Sequence, residues 1–306
     1  MWRDSSLAHT GVPVLLHSVP ELFSQPLHTR CSTSKNAALH GAAMSISVLV
    51  SPVSAYPLSA VDTSSPVIAE FGAYRARLAA TMDDRLAAYR LRFLVFNVEL
   101  NEGLASSYAT GYDTDQFDDV CDHLIVEHAG TGEVIGTYRL QSGDVAAQYF
   151  GYYSEQEFDF SPYEEMRSNV LELGRACVHR DHRSPEVLNL LWKGIMRYAK
   201  SRGLRYLMGC CSLTSQCVDE GTEVFRALEP YLIESSLMTV PTKAFAMAMR
   251  EGVETMQEPP RLLRAYLAVG ARICSTPAID CSFGTIDFLT LLDLETMHPR
   301  IARRYL

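Results

Sequence analysis

The chain has 306 residues, 47% of them hydrophobic and 21% charged. That is enough apolar material for a full core and excludes a chain disordered throughout. Lysine and arginine number 27 against 36 aspartates and glutamates, a formal net charge of −9, which is the wrong sign for a nucleic-acid partner. No run reaches the ~18 consecutive apolar residues of a membrane span, so the chain reads as soluble and cytoplasmic, at most peripheral on the inner membrane face.

In chain order, residues 1–65 are rich in Ser, Pro, His and Ala without sustained periodicity, and read as a disordered tail. Met44 is the first internal start that could make this segment an upstream extension. A strand is expected over 74–80, then a helix capped by Asp83 and running to Glu99. Residues 100–122 read as a Gly- and Asp-rich loop. Strands at 124–127 and 134–140 flank Gly130-Thr131-Gly132 as a β-hairpin. Residues 170–178 read as a strand. Ser184, Pro185 and Glu186 then supply a cap, a first-turn proline and a first-turn acid for a helix with Leu188, Leu191, Trp192, Ile195 and Ala199 on one face, closed by Gly203. A strand at 205–211, a helix at 218–228, a short amphipathic helix around Leu262, Leu263, Tyr266 and Leu267, and a strand at 283–292 complete the pattern. This is an α/β chain with a mixed sheet and a strand–helix–strand crossover over 170–211. The division expected is a tail at 1–65, a core at 66–258 and a C-terminal extension at 259–306 packed on the core.

Charge is segregated. Residues 99–133 hold nine acids and no lysine or arginine, whereas residues 175–205 hold eight basic residues and two acids. Two solvated faces that partly neutralise each other would give this pattern. So would a two-substrate protein, with the acidic loop for an amine-bearing substrate and the basic helix for a phosphate or an acidic carrier protein. The eight cysteines form no CxxC pair and read as reduced, packed side chains; the nine histidines show no metal-ligand spacing, so no metal is expected.

Several motifs recur in a telling order: Arg90, Arg92, Phe93 and Phe96; Asp115, Phe117 and Asp118; Cys121-Asp122-His123-Leu124; Gly136-Thr137-Tyr138-Arg139-Leu140; Leu171-Glu172-Leu173-Gly174-Arg175 with Cys177-Val178-His179; and Pro277-Ala278, Asp280, Phe283-Gly284-Thr285 and Asp287-Phe288. Over about residues 70–306 the sequence resembles the hemolysin-like, GNAT-related N-acyltransferases of the ornithine lipid type, which are similar in turn to acyl-homoserine-lactone synthases and N-acyl amino acid synthases. The resemblance implies a GNAT-like fold, with a sheet splayed where a pantetheine arm lies. It also implies transfer of a fatty acyl group from a thioester to an amine. The co-substrate is then acyl-carrier protein or acyl-CoA, with no bound cofactor. The turn before the 184–202 helix is Arg180-Asp181-His182-Arg183-Ser184-Pro185, without the glycines that cradle a CoA pyrophosphate. Arg180, Arg183 and the basic helix suit one phosphopantetheine phosphate and an acidic carrier protein.

An amine attacks a thioester only when neutral, so the site needs a base. Glu172 matches the family's Glu-x-x-Arg and is assigned that role, directly or through water; the alternative is a structural ion pair with Arg139 or Arg175. Arg175 and Arg139 are expected to hold carboxylates in the site, or only to brace the sheet. Asp115 and Asp118 match the acids that line the acceptor pocket of the lactone synthases; each also fits a loop cap. Of Arg90 and Arg92, two apart on a helix, at most one is expected to bond back to the acidic loop, and Arg92 is counted with the substrate-binding residues. Cys177, Val178, His179, Arg180 and Arg183 are expected along the acyl and phosphopantetheine arm, with an oxyanion donor among the backbone N–H groups near 177–179. A Cys177–His179 acyl-enzyme is a lesser alternative.

The leading reading is acylation of ornithine or a similar amino acid to give a lyso-lipid. A signal synthase and a non-catalytic carrier-protein binding module are the alternatives. The stretch Arg261, Leu262, Leu263, Arg264, Tyr266 and Leu267 is either a core-packing helix or a contact with an anionic bilayer.

Overall fold

A computed structural model describes residues 66–252 and 257–305, so the expected tail and Met44 lie outside the described residues. Nine strands form one sheet: β1 (Ala69–Phe71), β2 (Tyr74–Leu78), β3 (Asp122–His128), β4 (Val134–Ser142), β5 (Val170–Val178), β6 (Tyr206–Leu213), β7 (Arg272–Ile273), β8 (Ala278–Asp280) and β9 (Thr285–Asp293). The α-helices are α1 (Met82–Phe93), α2 (Ser107–Thr110), α3 (Gly143–Gln148), α4 (Pro185–Ser201), α5 (Val218–Leu228), α6 (Arg261–Ala268) and α7 (Pro299–Tyr305). The strand order is β1-β2-β3-β4-β5-β6-β9-β7, with β8 also on β9. The sheet is antiparallel except for the β5–β6 pair.

The expected strand–helix–strand crossover is β5-α4-β6. In α4, Ser184 caps the helix by accepting the Val187 N–H, Pro185 starts it, and Val187, Leu190, Leu191 and Ile195 are buried on the sheet. Gly194 lets the helix lie close: a Cβ there would come within 2.7 Å of the Leu124 side chain on β3. The α1 cap is Thr81 rather than Asp83, because Thr81 and Asp84 exchange the two bonds of a capping box. Beyond Phe93 the same helix widens into a π-helical turn, Leu94–Glu99, a distortion that often marks a functional site.

The 259–306 segment is not an appendage on a finished sheet. Its β9 pairs with β6 at eight positions, from Tyr206 with Asp293 to Leu213 with Ile286, and so forms an inner strand. The amphipathic helix α6 turns Leu263, Tyr266 and Leu267 into the main core, where Tyr266 meets Trp192 edge-on at 5.4 Å. Its apolar face is therefore spent inside the molecule. Among the described residues no helix is long and apolar enough to cross a membrane.

Two features of β5 open the sheet. First, β5 and β6 pair only over Val170–Glu172. The strands still touch at the next residue, where a Cβ on Gly209 would sit 2.3 Å from the Leu173 carbonyl oxygen, and their pairing is not resumed past it. Second, the β4–β5 register shifts between Thr137 and Arg139, and Arg175 holds a positive φ of 49°. A bulge of this kind inserts a residue, bends its strand and re-aims side chains; for a non-glycine the conformation is strained and is typical of functional sites.

Candidate active site

The gap between β5 and β6 leads into a cavity of about 350 Å³. It has two chemically distinct ends. On the α4–α6 side it is walled by Leu188, Leu191, Trp192, Leu207, Leu262 and Tyr266; on the other side Arg139, Gln141, Glu157, Glu172, Arg175, Asp280 and Asp287 reach it. Alternation along the strands produces the division: on β6, Leu207 and Cys211 join the core under α4, while Met208 and Cys210 face the opposite layer.

The acidic loop closes on three arginines. Arg92, fully buried, donates to Asp113 at 2.6 Å and to Asp118 at 2.7 Å. Arg139 donates to Asp115 at 2.6 Å and lies 3.4 Å from Asp118. Arg175 reaches Asp115 at 2.9 Å and Asp113 at 3.3 Å. Three cations and three anions thus form one buried network. Despite the cost of burial, the arginines hold Asp115 and Asp118 below the usual carboxylate range. Asp115 and Asp118 also cap the 3₁₀ turn Gln116–Asp119 through reciprocal backbone bonds. The cap reading of these aspartates is thus observed, whereas neither they nor Arg92 line the cavity: the arginines, not open space, take up their charge. Arg90 also reaches the loop, donating to the Gly111 carbonyl at 3.1 Å, so both helix arginines bond back to it. The loop wraps around the end of α1 and meets two of its faces.

Glu172 does not pair with Arg139 or Arg175. Its carboxylate accepts the Tyr153 N–H at 2.8 Å, the Ser154 N–H at 2.8 Å and the Ser154 hydroxyl at 2.5 Å. Burial raises its pKa against these three donors. Arg175 packs its guanidinium against Phe283 and Tyr153, with centroids at 4.6 and 4.9 Å.

Along the expected pantetheine arm, Cys177, Val178 and Arg183 line the cavity. The His179 N–H is taken by the Ile135 carbonyl at 2.8 Å, so it is no oxyanion donor. Antiparallel alternation then turns the Val178 N–H away from β4, toward the gap; the Val178 carbonyl is met by Arg183 Nε at 3.1 Å. Arg183 is further pinned to Glu99 by two bonds of 2.6 and 2.8 Å, and Arg202 holds Asp122 at 3.0 Å. The two charge fields of the sequence thus partly neutralise each other. Arg180 stays exposed, 3.9 Å from Asp181, and neither it nor His179 lines the cavity. The turn's own amides are used internally: Asp181 donates to His179 Nδ1, His182 to the His179 carbonyl and Ser184 to the His182 carbonyl. Burial pushes the Cys177 thiol well up, and His179 is engaged with Asp181 and lies beside His182, which disfavours a Cys177–His179 nucleophile.

A model of the acetyltransferase (GNAT) domain matches residues 91–193. The L-ornithine N(alpha)-acyltransferase of Brucella abortus (strain 2308) is 31% identical over 275 residues, covering 81% of this chain and 93% of that protein. The chain belongs to this acyltransferase family. The protein of the same name from Rhodobacter capsulatus is 29% identical over 249 residues, covering 74% and 92%. Among solved structures, the N-acyl amino acid synthase FeeM from uncultured soil microbes is similar at 12% identity and a TM-score of 0.46, covering 73% of this chain and 93% of that one. The protein is thus an acyltransferase of GNAT-like α/β fold, and an acyl donor and an amine acceptor are its two substrates.

The cavity also holds acids to which the sequence assigns no role, although Asp280 and Asp287 stand in its motifs. Glu102, just beyond the π-helical turn, accepts the Thr214 hydroxyl at 2.7 Å, and burial raises its pKa to about 7. Glu157, Asp280 and Asp287 come from three distant segments, yet one carboxylate oxygen of each lies within 4.8 Å of the others. Such a group can hold a cation, although no histidine or cysteine spacing announces it.

Proposed function

We propose that the protein transfers a long-chain fatty acyl group from the phosphopantetheine thioester of acyl-carrier protein to the α-amine of ornithine, giving an N-acylated amino acid with one fatty chain. The observation that carries this reading is the cavity, which joins an apolar arm to a charged acceptor end through the splayed sheet, in a chain whose relatives bear the name given above.

In this reading the acyl chain lies against Leu188, Leu191, Trp192 and Tyr266, and the thioester carbonyl sits in the gap between β5 and β6. The amine attacks that carbonyl. A C–N bond forms, the C–S bond breaks, and the thiol leaves with a proton. The nitrogen's proton passes through the Ser154 hydroxyl to Glu172, the base, which returns it to the departing sulfur. The Val178 N–H binds the developing oxyanion. Arg175 and Arg139 orient the acceptor's carboxylate while the loop aspartates keep them fixed. A carrier-protein donor is favoured over CoA by the turn at 180–185, which has no glycine and spends the Asp181, His182 and Ser184 amides internally, and so offers little to a pyrophosphate. Arg180, exposed on this turn, suits a single phosphate.

Product mass spectrometry tests the reading. The purified protein receives plain and 3-hydroxy acyl-carrier proteins, the matching acyl-CoA esters, ornithine and the twenty amino acids, beside Glu172→Gln. The expected result is acyl-ornithine made from carrier protein and lost in the variant. Equal efficiency with CoA removes the donor assignment. A different acyl-amino acid, or a lactone, moves the acceptor toward a signal synthase. No product from any pair, with carrier protein still bound, overturns the enzymatic reading in favour of a binding module.

A further inference from the structure

Relative to the acceptor end just described, the loop aspartates are poorly suited to read a second positive charge, because Arg92, Arg139 and Arg175 already satisfy them. Glu157, Asp280 and Asp287 differ. All three are at least 95% buried and line the same cavity, and no ion pair of the described residues includes them. Each anchor leaves acceptor capacity unused. Asp280 Oδ1 takes the N–H groups of Ser282 and Phe283. Asp287 Oδ2 takes the Thr285 hydroxyl at 3.1 Å, while Asp287 Oδ1 has no donor.

A separate side chain points the same way. Gln141, 2% exposed, is fixed by its Nε2 donating to the Gly151 carbonyl at 2.9 Å, which leaves its Oε1 without a partner on the same cavity. Two buried acceptors in want of a proton donor, beside three carboxylates without a cation, define the missing ligand group: a compact cation rich in N–H.

We infer that Glu157, Asp280 and Asp287 form the pocket for the side-chain ammonium of a dibasic amino-acid acceptor, and so set the enzyme's choice of ornithine over neutral amino acids. This rests on the acceptor reading above. The dimensions agree. A tetrahedral ammonium donating bonds of about 2.8 Å places its acceptors about 4.6 Å apart, inside the 4.8 Å limit of the cluster. The placement agrees too: Cys210 Sγ lies 3.5 Å from Ser154 Oγ and 3.7 Å from Glu157 Oε2, and Ser154 holds the proposed base Glu172. One hydroxyl and one thiol thus separate the group that serves the α-amine from the group that holds the distal amine. Burial, followed by mutual repulsion, pushes Glu157 well up and Asp287 up to about 6.

The experiment compares kcat/KM for ornithine and for norvaline, which lacks only the distal amine, in the full-length wild type, Asp287→Asn and Glu157→Gln. The ratio of the two values within one protein cancels any general loss of folded enzyme. The wild type is expected to prefer ornithine, and each variant to lose about 10- to 100-fold of that preference, chiefly through KM. A preference retained in both variants overturns the pocket assignment alone. A wild type that acylates ornithine no better than norvaline overturns the ornithine reading itself. Loss of wild-type activity in EDTA, restored by a divalent cation but not in Asp287→Asn, would assign the cluster to a metal and equally overturn the inference.

Discussion

Glu102 offers a sharp test of the electrostatics of the cavity. Burial raises its pKa from 4.5 to about 7, with Thr214 holding it by one hydrogen bond. The folded carboxyl keeps its proton to about pH 7, whereas the unfolded one releases it near 4.5. Between those values the folded state binds more protons, so this group's contribution to stability falls as pH rises. At 1.36 kcal/mol per pH unit of difference, the loss amounts to about 3 kcal/mol and is nearly complete at pH 8. Glu102→Gln stays neutral at every pH and keeps an acceptor for Thr214. It is expected to match the wild type near pH 4.5 and to exceed it by about 3 kcal/mol at pH 8. Urea denaturation at the two pH values measures the difference, and the other raised carboxyls, present in both proteins, largely cancel. A stability difference that is the same at both pH values would refute the reasoning.

Further substitutions probe the fold and the chemistry. Arg92→Met removes the buried cation between Asp113 and Asp118 and is expected to cost about 3–5 kcal/mol; a thermal midpoint within a degree of the wild type would contradict this. Gly209→Ala drives a methyl group toward the Leu173 carbonyl and is expected to cost about 1–3 kcal/mol and to raise the KM for the acyl donor, both read from one purified variant. Glu172→Gln is expected to lower kcat at least 100-fold in a thiol-release assay, and activity within threefold of the wild type would remove Glu172 as the base. Trp192→Ala enlarges the apolar arm and is expected to shift the preferred acyl chain upward; an unchanged chain-length profile would place the chain elsewhere.

Local signals marked what is locally caused. Ser184, Pro185 and Glu186 announce the start of α4, and the alternation of Val170–Val178 marks β5, because caps and periodicity act within a few residues. The expected cap of α1, Asp83, lies two positions past the true one, Thr81, since Asp83 and Asp84 stand together and only the geometry shows which one pairs with Thr81. The short elements β1, β7, α2 and α7 carry too few residues to build a periodic pattern. The inner position of β9 could not be read because its eight-position register with β6 is entirely non-local. The same limit applies at the site. Arg92, Asp115, Asp118, Arg139 and Arg175 sit in motifs and do converge, but Asp113 has nothing in its neighbourhood to mark it. The bulge that turns Arg175 toward both aspartates is a property of two strands rather than one.

The contrast between the two acidic sets follows from where the chain supplies cations. The segment from 99 to 133 contains no lysine or arginine, yet its Asp113, Asp115 and Asp118 fold against Arg92 of α1, Arg139 of β4 and Arg175 of β5, and these six charges cancel as a unit. That unit makes a rigid wall with little remaining appetite for charge, which suits it to positioning Arg139 and Arg175. Glu157 lies just after the 3₁₀ turn Tyr153–Gln156, and Asp280 and Asp287 come from β8 and β9 of the C-terminal segment; no ion pair of the described residues reaches them. Their unfavourable burial is a cost that the folded protein bears without an internal return, and a bound ammonium would offset it. The C-terminal strand pair thus closes the sheet and also brings two of the three carboxylates to the acceptor end. A GNAT-like unit ending at α4 would possess the proposed base and the arginines but not the proposed pocket. Selectivity for a second amine and completion of the sheet are therefore expected to depend on the same segment.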